Sequence, residues 1–195
     1  VLSCSALKPE SLRWGHPTQE TAMAMVDYIK KAVDLIGHNY LDGMVTCPIS
    51  KEAMRSAGFS YPGHTEMLAE LTGTRNFAMM LAGERLRVTL VTIHCPLNQV
   101  ADSLSRESIV RLIRITHDAL IRDFALPDPR IAVAGLNPHA GENGLFGNEE
   151  ISLIEPAILE TRSYGIKVFG PFPPDTVFFK AAAGDYDAVV CMYHD

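Results

Sequence analysis

The stretch SRESIVRLIRITHDALIRDFALPDPRIAVA, residues 105–134, decides the fold. Ile109, Ile113, Thr116, Leu120 and Phe124 return on one stripe at helical spacing, with Ser105 as the cap. Residues 106–124 therefore read as a long amphipathic helix. Pro127 and Pro129 break the pattern, and 131–134 follow as a short apolar strand. Upstream, 76–82 and 86–92 flank Gly83-Glu84 and read as two strands joined by a tight turn. Downstream, 148–164 reads as a helix capped by Asn148, kinked at Pro156 and ended by Gly165. Residues 166–169 and 188–192 read as two further strands. Strands alternating with long helices predict an α/β layer fold with a mixed, mostly parallel sheet.

The amino-terminal part is more helical. Residues 18–36 carry Ala22, Met25, Ile29, Val33 and Ile36 at helical spacing, with Thr18 as cap and Gly37 as stop. Met44-Val45-Thr46-Cys47 reads as a short strand stopped by Pro48. Residues 50–57 read as a short helix, and 65–72 as another, with Thr65 as cap and Gly73 as stop.

The chain has 195 residues, 47% of them hydrophobic, and a net charge of −6 from 17 basic and 23 acidic side chains. That balance argues against binding to a nucleic-acid backbone. Apolar runs are strand-sized, which excludes a membrane-spanning helix, and no signal peptide is visible. Cys4, Cys47, Cys95 and Cys191 form no CxxC pair. They read as reduced thiols, and the compartment as cytoplasmic. The chain opens on Val1 and stops at Asp195 without a closing element, so both ends are expected to continue.

Three histidines share one kind of position. His94, His139 and His194 each follow an expected strand, where open α/β sheets gather their ligands. Three imidazoles converging there would leave a cation with open coordination positions, the catalytic arrangement. Taken singly, a histidine after a strand is more often a capping or surface residue, and three in matching places bring the two readings level. Tyr61-Pro62-Gly63 delivers His64 and Thr65 to a helix start, where free N–H groups and the helix dipole suit an anion. An ordinary helix start capped by Thr65 is the competing reading. The loop 136–147 has glycines at 141, 144 and 147, which is not the dinucleotide fingerprint. Its density of polar residues exceeds what a connection needs.

Tyr61-Pro62-Gly63-His64-Thr65-Glu66, Gly135-Leu136-Asn137-Pro138-His139-Ala140-Gly141-Glu142, Pro174-Asp175-Thr176 and Met192-Tyr193-His194-Asp195 resemble the 4-hydroxythreonine-4-phosphate dehydrogenase family of pyridoxal phosphate biosynthesis. The match runs through nearly the whole chain, Lys51 and 86–97 included. The resemblance implies a three-layer α/β/α fold of the isocitrate/isopropylmalate dehydrogenase type, two domains around a cleft, and a homodimer. Residues 1–195 would be an interior portion of that enzyme, with the family's first strand and later lysine, asparagine and arginine positions lying outside it. It implies one divalent cation (zinc, magnesium or cobalt) on His94, His139 and His194, and substrate contacts from His64 and Thr65. NAD or NADP would bind without the Rossmann glycines. The implied reaction oxidises 4-phosphohydroxy-L-threonine to a β-keto acid that loses carbon dioxide. A sister activity on D-threonate or D-erythronate 4-phosphate, and a non-catalytic metal-binding remnant, are the alternatives. Lys51 and Asp175 lie in family-like motifs without an assigned proton transfer.

Overall fold

Two strands carry only apolar side chains, and both are buried at every position: Ile131–Ala134 and Ala188–Cys191. A strand covered on both faces reads as a continuous apolar run, and these two form the middle of a sandwich. The structure, a computed structural model, describes residues 1–61 and 63–194. Pro62 and Asp195, each part of a motif quoted above, lie outside the described residues. The chain divides into two units, Val1–Arg75 and Asn76–Asp195.

The first unit is helical. Its elements are α1 (Gln19–Gly37), α2 (Lys51–Ser56) and α3 (His64–Thr72). Thr18 caps α1 in a reciprocal box with Thr21. Val26 and Ile29 of α1 bury against Met54 of α2 and Met67 of α3. The strand expected at Met44–Cys47 does not form, and Val45 is fully exposed. Among the described residues nothing pairs with it, and an apolar run without a neighbouring ladder has no reason to stay extended. The helix expected from Thr65 begins one residue earlier. Gly63 is its cap, and Thr65 lies inside the first turn.

The second unit holds β1 (Met80–Ala82), β2 (Arg87–Leu90), α4 (Val100–Ser103), α5 (Arg106–Arg122), β3 (Ile131–Ala134), α6 (Glu155–Ser163), β4 (Val168–Phe172), α7 (Pro174–Ala182) and β5 (Ala188–Cys191). The sheet order is β1-β2-β5-β3-β4. Only the β1–β2 pair is antiparallel, as the tight turn predicted. Side chains alternate across the sheet. Ile131 and Val133 of β3 and Val190 of β5 pack with Ile109, Ile113 and Leu120 of α5 and Ile158 of α6. Ala132, Ala134, Val189 and Cys191 face the other way, toward Val177 and Ala181 of α7. Small side chains on that face let α7 lie close. The result is a three-layer α/β/α arrangement.

The helix expected across 148–164 is not continuous. Residues Glu150–Ile154 form one wide π-turn, and α6 starts after it. The Glu155 N–H reaches back to the Glu150 carbonyl, so Pro156 falls in the first turn of α6. There its missing N–H costs little, which explains why proline replaces a kink with a π-turn. α7 was not anticipated from its sequence.

Candidate functional site

The expected strand exits are real and adjacent. β5 lies between β2 and β3, all three parallel, so His94, His139 and His194 follow the carboxyl ends of three neighbouring strands. The β2–β5 ladder continues past both strands: the Val91 N–H donates to the Cys191 carbonyl and the Thr92 N–H to that of Met192. The Thr92 hydroxyl donates to the same Met192 carbonyl at 2.7 Å. His94 and His194 thus each stand two residues beyond a paired rung. All three histidines are exposed. The Cys191 thiol, at the end of β5, is pushed up to about 12 by burial and stays protonated near neutral pH. Among the described residues no three His, Cys, Asp or Glu side chains stand close enough to hold an ion. The donor chemistry and the strand order fit a three-imidazole set, while the side chains themselves stand apart.

His139 sits in an unusual turn. Five consecutive residues, His139 to Asn143, have φ between 45° and 76°. L-residues other than glycine resist this conformation by about 1–2 kcal/mol each. A buried carboxylate fixes the residues that lead into the turn. Glu150, 2% exposed, projects from the π-turn under the loop. Its Oε1 accepts the N–H groups of Leu136 and Asn137, both at 2.8 Å, and its Oε2 accepts the Asn137 amide at 2.9 Å. Glu149 accepts the same amide at 2.7 Å.

The glycine series follows from this packing. A Cβ on Gly141 would lie 2.6 Å from Glu150 Oε2, and one on Gly147 2.4 Å from the Asn137 amide nitrogen. Gly141 makes room for the Glu150 carboxylate, and Gly147 for the Asn137 amide and the Glu149 carboxylate. Sequence reasoning noticed the loop and missed Glu150. The usable signal was three glycines closing on an acidic pair.

In the first unit, the start of α3 has another character. Gly63 supplies no side-chain cap. His64 Nε2 and Glu66 Oε2 are buried atoms without a hydrogen-bond partner. A Cβ on Gly63 would lie 3.4 Å from Glu66 Oε2 and 3.9 Å from Lys51 Cε. An imidazole, a carboxylate, a lysine stem and uncapped helical N–H groups therefore crowd around one helix turn. Asp175 lies exposed in the first turn of α7.

The chain matches the family described as pyridoxal phosphate biosynthetic protein PdxA over residues 1–195. It is 52% identical over 195 residues to the 4-hydroxythreonine-4-phosphate dehydrogenase of Desulforapulum autotrophicum, covering 100% of this chain and 57% of that protein. It is 44% identical over 187 residues to the D-threonate 4-phosphate dehydrogenase of Pectobacterium atrosepticum, covering 96% of this chain and 57% of the relative. The crystal structure of 4-hydroxythreonine-4-phosphate dehydrogenase from Klebsiella pneumoniae superposes with a TM-score of 0.90 at 45% identity, over 96% of this chain and 57% of that one. The chain thus spans a little over half the length of these relatives. Its fold is of the isocitrate/isopropylmalate dehydrogenase type. With a match along its whole length, the chain belongs to the PdxA family.

Proposed function

We propose that the protein containing this chain is an NAD- or NADP-dependent 4-hydroxythreonine-4-phosphate dehydrogenase of pyridoxal phosphate biosynthesis. The identity of 52% along all 195 residues to a relative of that name carries the reading. In the net reaction, 4-phosphohydroxy-L-threonine gives a hydride to the nicotinamide and releases its hydroxyl proton, and the β-keto acid loses carbon dioxide while the carbon that carried it takes up a proton, leaving 3-amino-2-oxopropyl phosphate.

His94, His139 and His194 would hold one divalent cation, zinc, magnesium or cobalt, at the carboxyl edge of the sheet. When bound, the cation supplies Lewis acidity at the substrate hydroxyl, and the nicotinamide accepts the hydride. His64 and Thr65 anchor an anionic group of the substrate at the uncapped first turn of α3, and the unpartnered His64 Nε2 supports this role. The protein acts as a homodimer, the assembly that the family resemblance implies. Its place is the cytoplasm, in keeping with four free cysteines. No helix is long and apolar enough to cross a membrane among the described residues.

D-threonate 4-phosphate is the second candidate substrate, favoured by the 44% identity to the Pectobacterium relative. The test is nicotinamide reduction by the full-length protein with each substrate and each cofactor. Turnover of 4-phosphohydroxy-L-threonine that is lost on chelation and restored by a divalent metal is expected. Turnover of D-threonate 4-phosphate alone would overturn the first reading in favour of the second.

A further inference from the structure

We propose that Glu150 is the positioning residue of this cation site, holding the left-handed turn 139–143 so that His139 is aimed along the carboxyl edge of the sheet. The inference rests on the reading of His139 as a ligand. The contacts of the His139 ring are too weak to fix it. Its Nδ1 lies 3.5 Å from Glu142 Oε1, its ring meets Phe146 edge-on with centroids 5.9 Å apart, and its side chain is 62% exposed. Backbone conformation must therefore set its direction. That backbone lies in a region non-glycine residues resist, over five residues in succession.

Backbone bonds close the turn, from the Ala140 N–H to the Asn137 carbonyl and from the Phe146 N–H to the Gly141 carbonyl, both at 3.1 Å, and one carboxylate fixes how the chain enters it. Glu150 takes three hydrogen bonds from Leu136 and Asn137, the residues that link β3 to the turn. Glu149 takes one, and only from the Asn137 side chain. Gly135 and Gly141 flank the same carboxylate, with Cβ positions 2.9 and 2.6 Å from its oxygens. The π-turn that contains Glu150 sets where the carboxylate stands. Distorted helical turns of this kind often accompany function. Groups that orient a ligand without touching the metal typically change its affinity by about 10–100-fold.

The test is Co²⁺ binding by the full-length protein without substrate, read from the visible spectrum of the bound ion and from calorimetry. It is run well below the melting temperature, with circular dichroism confirming the fold. Glu150→Ala is expected to weaken Co²⁺ binding about tenfold or more. Glu150→Gln keeps one oxygen for the two backbone N–H groups but sets its NH2 against the donating Asn137 amide, and is expected to weaken binding less than Glu150→Ala does. A folded Glu150→Ala protein with wild-type affinity and spectrum would overturn the inference. If that variant does not fold, Gly141→Ala, whose methyl displaces the carboxylate, carries the same test with the same two outcomes. His139→Ala separates this inference from the reading beneath it. Should His139→Ala bind Co²⁺ as wild type does, the ligand assignment falls. Glu150 is then judged by amide exchange over 140–143: faster exchange in Glu150→Ala supports its positioning role, and unchanged exchange overturns it.

Discussion

The turn after β3 and the first turn of α3 each present a histidine beside backbone that needs partners, and they differ in where the partners come from. After β3 the chain supplies them itself. Glu150 and Glu149 satisfy Asn137 and its neighbours, and glycines clear the space. At α3 the cap is a glycine without a side-chain bond, and His64 Nε2 and Glu66 Oε2 are left unpartnered. Buried polar atoms without partners are costly and rare in native proteins. The first arrangement stores strain to hold a direction. The second leaves hydrogen-bonding capacity for something that arrives from outside. A cation ligand needs direction, whereas an anion site needs free donors, so the contrast matches the two roles proposed.

The largest effect that would break the comparison is on stability. Glu150→Ala strands three donors beneath a strained turn and is expected to cost about 3 kcal/mol or more. Urea denaturation of the variant measures it. A cost below about 1 kcal/mol would mean that the turn holds itself. His64→Ala is expected to do the opposite. It removes a buried atom that has no partner, so stability should change by less than about 1 kcal/mol. KM for the phosphorylated substrate should rise about tenfold or more, since a lost hydrogen bond to a charged group is worth about 1.5–3 kcal/mol. Steady-state kinetics beside a thermal melt checks both halves. An unchanged KM with a large loss of stability would make His64 a packing residue.

A third prediction concerns pH and contrasts two cysteines. Cys191 is buried, its pKa raised from 9.0 to about 12 by burial, whereas Cys47 is exposed. Between those values the unfolded chain has lost the thiol proton and the folded chain has kept it. Unfolding then releases a proton, so stability falls as pH rises through that window. The slope attributable to Cys191 is about 1.4 kcal/mol per pH unit. It should vanish in Cys191→Ala, whose stability otherwise differs by a constant packing loss. Alkylation should mark Cys47 in the folded protein and Cys191 only after unfolding.

Much of this architecture was legible because the second unit obeys simple periodicities. The α5 stripe, the apolar strands β3 and β5 and the antiparallel β1–β2 pair follow from spacing alone, and so do the three histidines at strand exits. What escaped depended on contacts distant in sequence. The strand expected at Met44–Cys47 required a partner that no local pattern can announce. Pro156 signalled a break in the helix, but not that a π-turn would absorb it. Glu150 looked like one more acidic residue at a helix start, because its meaning lies fourteen residues upstream, in the N–H of Leu136.

The smallest expected effect sharpens the comparison most directly at α3. Thr18 and Thr65 both precede or open helices, and sequence alone gives both the same role. The structure separates them. The Thr18 hydroxyl accepts the Thr21 N–H and the Thr18 N–H donates back to the Thr21 hydroxyl, so Thr18→Ala should cost about 1 kcal/mol. Thr65 lies one residue inside α3, after His64, and Gly63 holds the cap position. Thr65→Ala removes no cap and places the best helix former in a first turn, so stability should change by no more than about 0.5 kcal/mol. Substituting Gly63 by Ser would instead supply an oxygen at the cap position, competing with a bound anion for the same N–H groups. That variant should be slightly more stable and should bind the phosphorylated substrate less well. Melting curves and KM, measured for Thr18→Ala, Thr65→Ala and Gly63→Ser together, decide the matter. If Thr65→Ala costs as much as Thr18→Ala and leaves KM unchanged, the first turn of α3 is an ordinary helix start, and the contrast with the turn after β3 disappears.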